Sequence, residues 1–98
     1  MYGGIALNEQ HFEDDVLDQV RQFVVMNFLF GDESRMPDST SSLLESGIVD
    51  STGVLEIVDF LEADMGVAVA DHETIPDNLD SIDNLSRFVR RKRAATVG

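Results

Sequence analysis

With 98 residues and no cysteine, the chain can build one small core but no disulfide framework, thiolate zinc site or cysteine nucleophile. Nineteen acidic residues against seven basic ones give a formal charge of −12. Such a charge repels nucleic-acid phosphates and favours steered encounters with basic protein surfaces. No apolar run reaches the length of a membrane span, and residues 1–10 lack the basic start and apolar block of a signal peptide, so a cytoplasmic protein without a membrane partner is expected.

Residues 1–12, with Gly3 and Gly4 adjacent, read as a flexible lead-in. A first helix is predicted from Asn8 or from Glu13 to about Phe30. Glu13, Asp14 and Asp15 suit the positive end of a helix dipole. Phe12, Val16, Val20, Phe23, Val24 and Phe28 recur at three- and four-residue spacing, and Leu17 and Phe30 widen the stripe, which reads as core. Gly31 is a natural stop. Residues 31–50 form a long loop, with Leu43, Leu44, Ile48 and Val49 as its apolar pins and turn chemistry in the Ser/Thr cluster at 39–42.

A second helix is predicted to open at Asp50 and Ser51, both capping residue types, and to stop at Gly66. On a wheel of about 3.6 residues per turn, Val54, Ile57, Val58, Leu61 and Met65 share one sector. Thr52, Glu56, Asp59 and Ala63 lie opposite, Glu62 flanks that side and Leu55 sits at the stripe's edge. Phe60 falls outward beside Glu56 and Gly53, either as a partner contact or under a neighbouring loop. An anion on the Ser51 hydroxyl would meet a favourable field at the helix N-terminus, and Gly53 has no side chain to obstruct it; Ser51 as a simple cap is the competing reading.

Val67 and Val69 fill the next connection, and residues 71–78 read as a short helical turn followed by a turn. The last helix is predicted to start at Asp80 or Ser81, with Ile82, Leu85, Phe88 and Val89 as its apolar face. Residues 1–86 hold all the acids and only Arg21 and Arg35 as bases, a formal −17. Arg87, Arg90, Arg91, Lys92 and Arg93 give the remainder +5, and are expected to serve the dipole and touch the acidic body, with residues 94–98 frayed. The whole is an all-α fold, a small bundle of three main helices plus one short helix.

Gly47, Ile48, Val49, Asp50, Ser51 and Thr52, followed by Glu56 and Glu62, resemble the signature of the acyl and peptidyl carrier proteins. In that family a Gly and a short spacer precede Asp-Ser-Leu at a helix start. The resemblance extends more weakly over residues 14–92 and implies a carrier domain at 13–93, similar in fold to acyl carrier protein. It implies a 4'-phosphopantetheine arm, derived from coenzyme A, on Ser51. Asp50 would then help the phosphopantetheinyl transferase align or bind metal, and Glu56, Asp59, Glu62, Thr52 and Phe60 would form the partner face. Leu55, Ile57 and Val58 would either shield cargo or pack in the core. The implied partners are that transferase, an acyl- or aminoacyl-activating ligase and a downstream synthase or transferase in lipid or secondary-metabolite biosynthesis, meeting a monomeric shuttle. Thr52 stands where Leu is usual, and Gly47 lies one residue further from Ser51 than in typical fatty-acid carriers. The pattern Gly-x-x-Asp-Ser-x-Gly from Gly47 to Gly53, with Glu56 following, is similar to D-alanyl carriers and some stand-alone peptidyl carriers, and Thr52 and the Gly47 spacing point to an amino acid or specialised acid as cargo.

Other readings compete with this one. Ser51 with His72 as nucleophile and base lacks the Gly-x-Ser-x-Gly elbow, and a chain this small offers little pocket, so no catalytic residue is assigned. Asp77, Asp80 and Asp83 are three apart rather than two, without the glycine of a calcium loop, and His11 and His72 show no ligand spacing, so no metal site is assigned. An acidic helical interaction module that is never modified uses the same surface without an arm.

Overall fold

The computed structural model describes residues 12–97. The lead-in before Phe12, the cap assigned to Asn8, His11, the side chain of Phe12 and Gly98 lie outside the described residues. Helix α1 spans Phe12–Phe28, α2 Ser51–Ala63, the single turn α3 Pro76–Leu79 and α4 Ile82–Val97, with 3₁₀ turns at Glu33–Arg35 and Asp71–Glu73. Among the described residues there is no strand, and the chain forms the expected all-α bundle.

The first helix buries Val16, Val20 and Val24, as its spacing predicts, and adds Val25, with Leu29 buried just past its end. It ends two residues before the expected Phe30. The Gly31 N–H reaches back to the Val25 carbonyl at 2.9 Å, closing the helix with a left-handed turn. That turn holds Phe30 at φ 56 and Gly31 at φ 84. Phe30 is therefore not core: its side chain is 89% exposed. The helical spacing fails there because the backbone has already left the helix.

Helix α2 has a wider buried arc than its stripe suggests, with Gly53, Ile57, Phe60 and Leu61 all inside. Phe60 does not face outward. It stacks on Phe23 of α1, ring centroids 4.2 Å apart and 13° from parallel, a pairing that contributes about 1 kcal/mol beyond its buried area. Gly53 lets the end of α1 approach: a Cβ built on it would lie 2.9 Å from the Phe28 ring and 3.0 Å from Val49. Its missing side chain thus serves helix packing. Helix α2 wedges onto α1 through these two contacts, and α4 packs along α1 and α3.

The long loop is anchored at both ends of residues 39–44. The Asp83 N–H donates to the Ser39 carbonyl at 2.8 Å and the Leu43 N–H to the Asp80 carbonyl at 2.7 Å. The Asp80 carboxylate accepts from the Leu44 N–H at 2.9 Å and from the Ser42 hydroxyl. Asp80 is therefore a loop clamp rather than the cap of α4. Ser81 is the cap, its Oγ accepting from the Asn84 N–H at 3.0 Å. Leu43 and Val49 are core while Leu44 stays exposed, and Gly47 turns the chain between them at φ 80.

The helical turn expected in 71–78 divides into the second 3₁₀ turn and α3. The basic run lies before the last turn of α4, which holds no base, and the helix continues through Ala94 and Ala95. Three of these cations tie α4 to other segments of the chain. Lys92 Nζ donates to both Glu73 carboxylate oxygens at 2.9 and 3.0 Å, Arg91 to the Asn78 side-chain oxygen at 2.9 Å and Arg93 to the Met65 carbonyl at 2.9 Å. Arg87 pairs with Asp83 one turn earlier, at 3.2 Å.

Candidate functional site: the start of helix α2

Leu43 and Val49 are buried, and the Val49 N–H donates to the Leu43 carbonyl at 3.1 Å, closing the turn that leads into α2. Asp50 is in extended conformation, φ −106 and ψ −175, and its carboxylate accepts from the Gly53 N–H at 2.8 Å. Asp50 is thus the cap, and Ser51 is the first helical residue. Of the two capping candidates in the sequence only one is used, which leaves the exposed Ser51 hydroxyl without capping duty. The Asp50 carbonyl accepts from Val54 and its side chain from Gly53, so the N–H groups of Ser51 and Thr52 are the uncommitted donors at this end.

Two concave surfaces lie along the first turns of α2. On one side, Leu43, Leu44, Val49, Val54, Ile57, Ile75, Pro76 and Leu79 line a mainly apolar cleft of about 120 Å³ between the loop, α2 and α3. On the other, Phe30, Arg35, Gly47, Asp50, Thr52 and Glu56 lie along a broader polar hollow beside the end of α1. Ile57 is core, with one edge on the apolar cleft; Val58 is half-buried and Leu55 is 66% exposed.

Thr52, Glu56, Asp59 and Glu62 are all exposed, so the acidic face read from the sequence exists as a surface. Glu62 also accepts from the Val69 N–H at 3.2 Å, tying the end of α2 to the connection. Phe60 drops out of that surface, being buried under α1. His72 stands exposed on the second 3₁₀ turn. Among the described residues no cluster of His, Asp or Glu is arranged to hold a metal, and no helix is long and apolar enough to cross a membrane.

Sequence reasoning missed the Asp80 clamp and the outward Phe30. The clamp joins residues 36 and 38 positions apart and has no local signal. The Phe30 turn had one, in Gly31 and Asp32 directly behind the aromatic, which favour a chain reversal over a further helical turn.

A small helical bundle that displays a serine at the first turn of an acidic helix is the form of a carrier domain. The chain is 31% identical over 71 residues to the probable acyl carrier protein PigG of Serratia sp. (strain ATCC 39006), a match covering 72% of this chain and 80% of that protein. The chain belongs to the acyl carrier protein family. Its role is accordingly that of a non-enzymatic carrier protein. No protein-family model matches the chain.

Proposed function

We propose that this protein carries an acyl or aminoacyl group as a thioester on a 4'-phosphopantetheine arm attached to Ser51. The observation that carries the reading is the division of labour at the start of α2: Asp50 caps the helix, and the exposed Ser51 hydroxyl is left for other chemistry. The site fits a phosphodiester. The uncommitted N–H groups of Ser51 and Thr52 and the helix dipole together supply a positive field. When attached, the arm supplies a thiol that holds cargo and lets it visit several active sites at high effective concentration.

Asp50 holds the helix start that presents the hydroxyl, and its exposed carboxylate is available to the transferase as well. Thr52, Glu56, Asp59 and Glu62 form the face met by partners: the transferase, an acyl- or aminoacyl-activating ligase and a downstream synthase or transferase. The apolar cleft on the α3 side approaches in size the cavities of about 150 Å³ that accept a benzene ring, so it suits a short or compact cargo. This agrees with an amino acid or specialised acid rather than a long fatty chain. The shuttle is monomeric and cytoplasmic in this reading, with residues 13–93 as the carrier domain.

The test is intact mass after incubation with coenzyme A and a broad-specificity phosphopantetheinyl transferase, beside Ser51→Ala. A gain of one phosphopantetheine in the wild type and none in the variant is the expected result. Folded wild-type protein that gains nothing from several transferases would overturn the proposal and leave an unmodified interaction module. Offered to amino-acid and fatty-acid activating enzymes, the loaded protein is expected to accept amino acids or compact acids; acceptance of long-chain fatty acids alone would reject the cargo assignment.

A further inference from the structure

Phe30 is the most exposed large apolar residue among those described, at 89%, and it sits at φ 56, where a branched or bulky side chain is disfavoured. It gains no core contact for that backbone cost. Asn or Gly at the same place would relieve the strain and remove the apolar surface together. Two unfavourable features thus coincide on one residue, and that residue lines the hollow that also holds Asp50 and Thr52, the two neighbours of Ser51.

We infer that Phe30 is the docking anchor for the enzyme that acts on the Ser51 hydroxyl. The inference rests on the carrier reading above. Chemistry at the hydroxyl itself brings an enzyme onto its neighbours Asp50 and Thr52, which border this hollow, whereas an enzyme working at the far end of a long arm can stand away from it. The rim fixes the chemistry of the partner surface. Asp50 and Glu56 call for cationic side chains, Arg35 for a carboxylate, and Phe30 for an apolar socket between them. An aromatic anchor in a socket ringed by polar pairs is the arrangement that concentrates binding energy in one residue.

The experiment compares Phe30→Asn, Met26→Gln and the wild type for arm transfer from coenzyme A, using a transferase that loads the wild type. Met26 is exposed at 58% but lies outside the hollow. Phe30→Asn is expected to raise the KM for the carrier by about tenfold or more with kcat little changed, while its melting temperature stays level or rises. Met26→Gln is expected to load as the wild type does. Unchanged loading of Phe30→Asn would overturn the inference and leave the carrier reading standing, and so would a fall in its melting temperature, which would give Phe30 a folding role. Equal loss in both variants would overturn it as well, since the effect would then follow from lost apolar surface anywhere. A wild type that no transferase loads would instead remove the carrier reading on which the inference rests.

Discussion

At the scale of single residues, Asp50, Ser51 and Gly53 divide one helix start between them. Aspartate caps it, serine is left exposed beside the cap, and glycine admits the Phe28 ring. The glycine gives a prediction whose sign local propensity gets wrong. In an isolated helix Gly53→Ala would be stabilising by up to about 1 kcal/mol. Here the added Cβ meets the Phe28 ring at 2.9 Å and Val49 at 3.0 Å, and overpacking of that kind costs about 1–3 kcal/mol. Gly53→Ala is therefore expected to lower the urea midpoint of unfolding; a rise would show that Phe28 moves aside freely. Asp50 and Ser51 were both readable as caps, because the sequence states capping chemistry but not which residue turns into the helix first. The structure settles that: Asp50 is extended and accepts from the Gly53 N–H, while Ser51 is already helical.

At the scale of elements, α4 is joined to the connection before α3 through Glu73. Its carboxyl is held below the usual carboxylate range, first by the hydrogen bond from the Ala70 N–H and then by the one from Lys92. Asp32 is lowered in the same direction by the Ser34 hydroxyl and N–H. A carboxyl whose pKa is lower folded than unfolded contributes its stabilisation fully above the ordinary carboxylate range and loses it as pH falls through the lowered value. Wild-type urea midpoints are therefore expected to fall on acidification below that range. Glu73→Gln should be less stable at neutral pH and should show a smaller acid-induced fall, since part of the titrating contribution has been removed. Parallel acid profiles for the two proteins would exclude Glu73 as a source. Because the pair is partly open to water, the effect is a modest one and weakens in salt. The basic run was read from the sequence as meeting the acidic body, and it does so. Its position before the last turn of α4 was not legible, because nothing local shows that the helix runs on through Val97.

Across the whole molecule, charge is the property that partners meet first. The formal −17 of residues 1–86 includes the exposed Glu56, Asp59 and Glu62 of α2, while three bases of α4 are occupied with Glu73, Asn78 and Met65. The net field around the carrier is therefore acidic, and association with basic partners should be steered. Raising ionic strength from about 0.01 M to 1 M shortens the screening length from about 30 Å to 3 Å. Arm-loading kcat/KM is expected to fall by about tenfold or more over that range, mainly through association. A rate that ignores salt would place recognition in apolar contact alone.

The sequence by itself determined the number and order of the main helices, the apolar faces of α1 and α4, the acidic face of α2 and the position of Ser51 at its start. Each of these is written locally, in three- and four-residue spacing, capping residue types and glycine stops. Only the tertiary structure decided that Phe60 stacks on Phe23 instead of facing outward, that Gly53 serves the contact with Phe28, that Asp80 clamps the loop 36 and 38 residues away, and that Phe30 is left in solvent. The Asp80 clamp spans too much sequence to leave a local signal, and Phe30 sits past the end of α1, where the backbone has already left the helix. For Phe60 and Gly53 the physical reason is packing. Helical periodicity tells which residues share a side of a helix, but the width of the buried arc and the fate of residues at its edges depend on which neighbour packs there and at what distance.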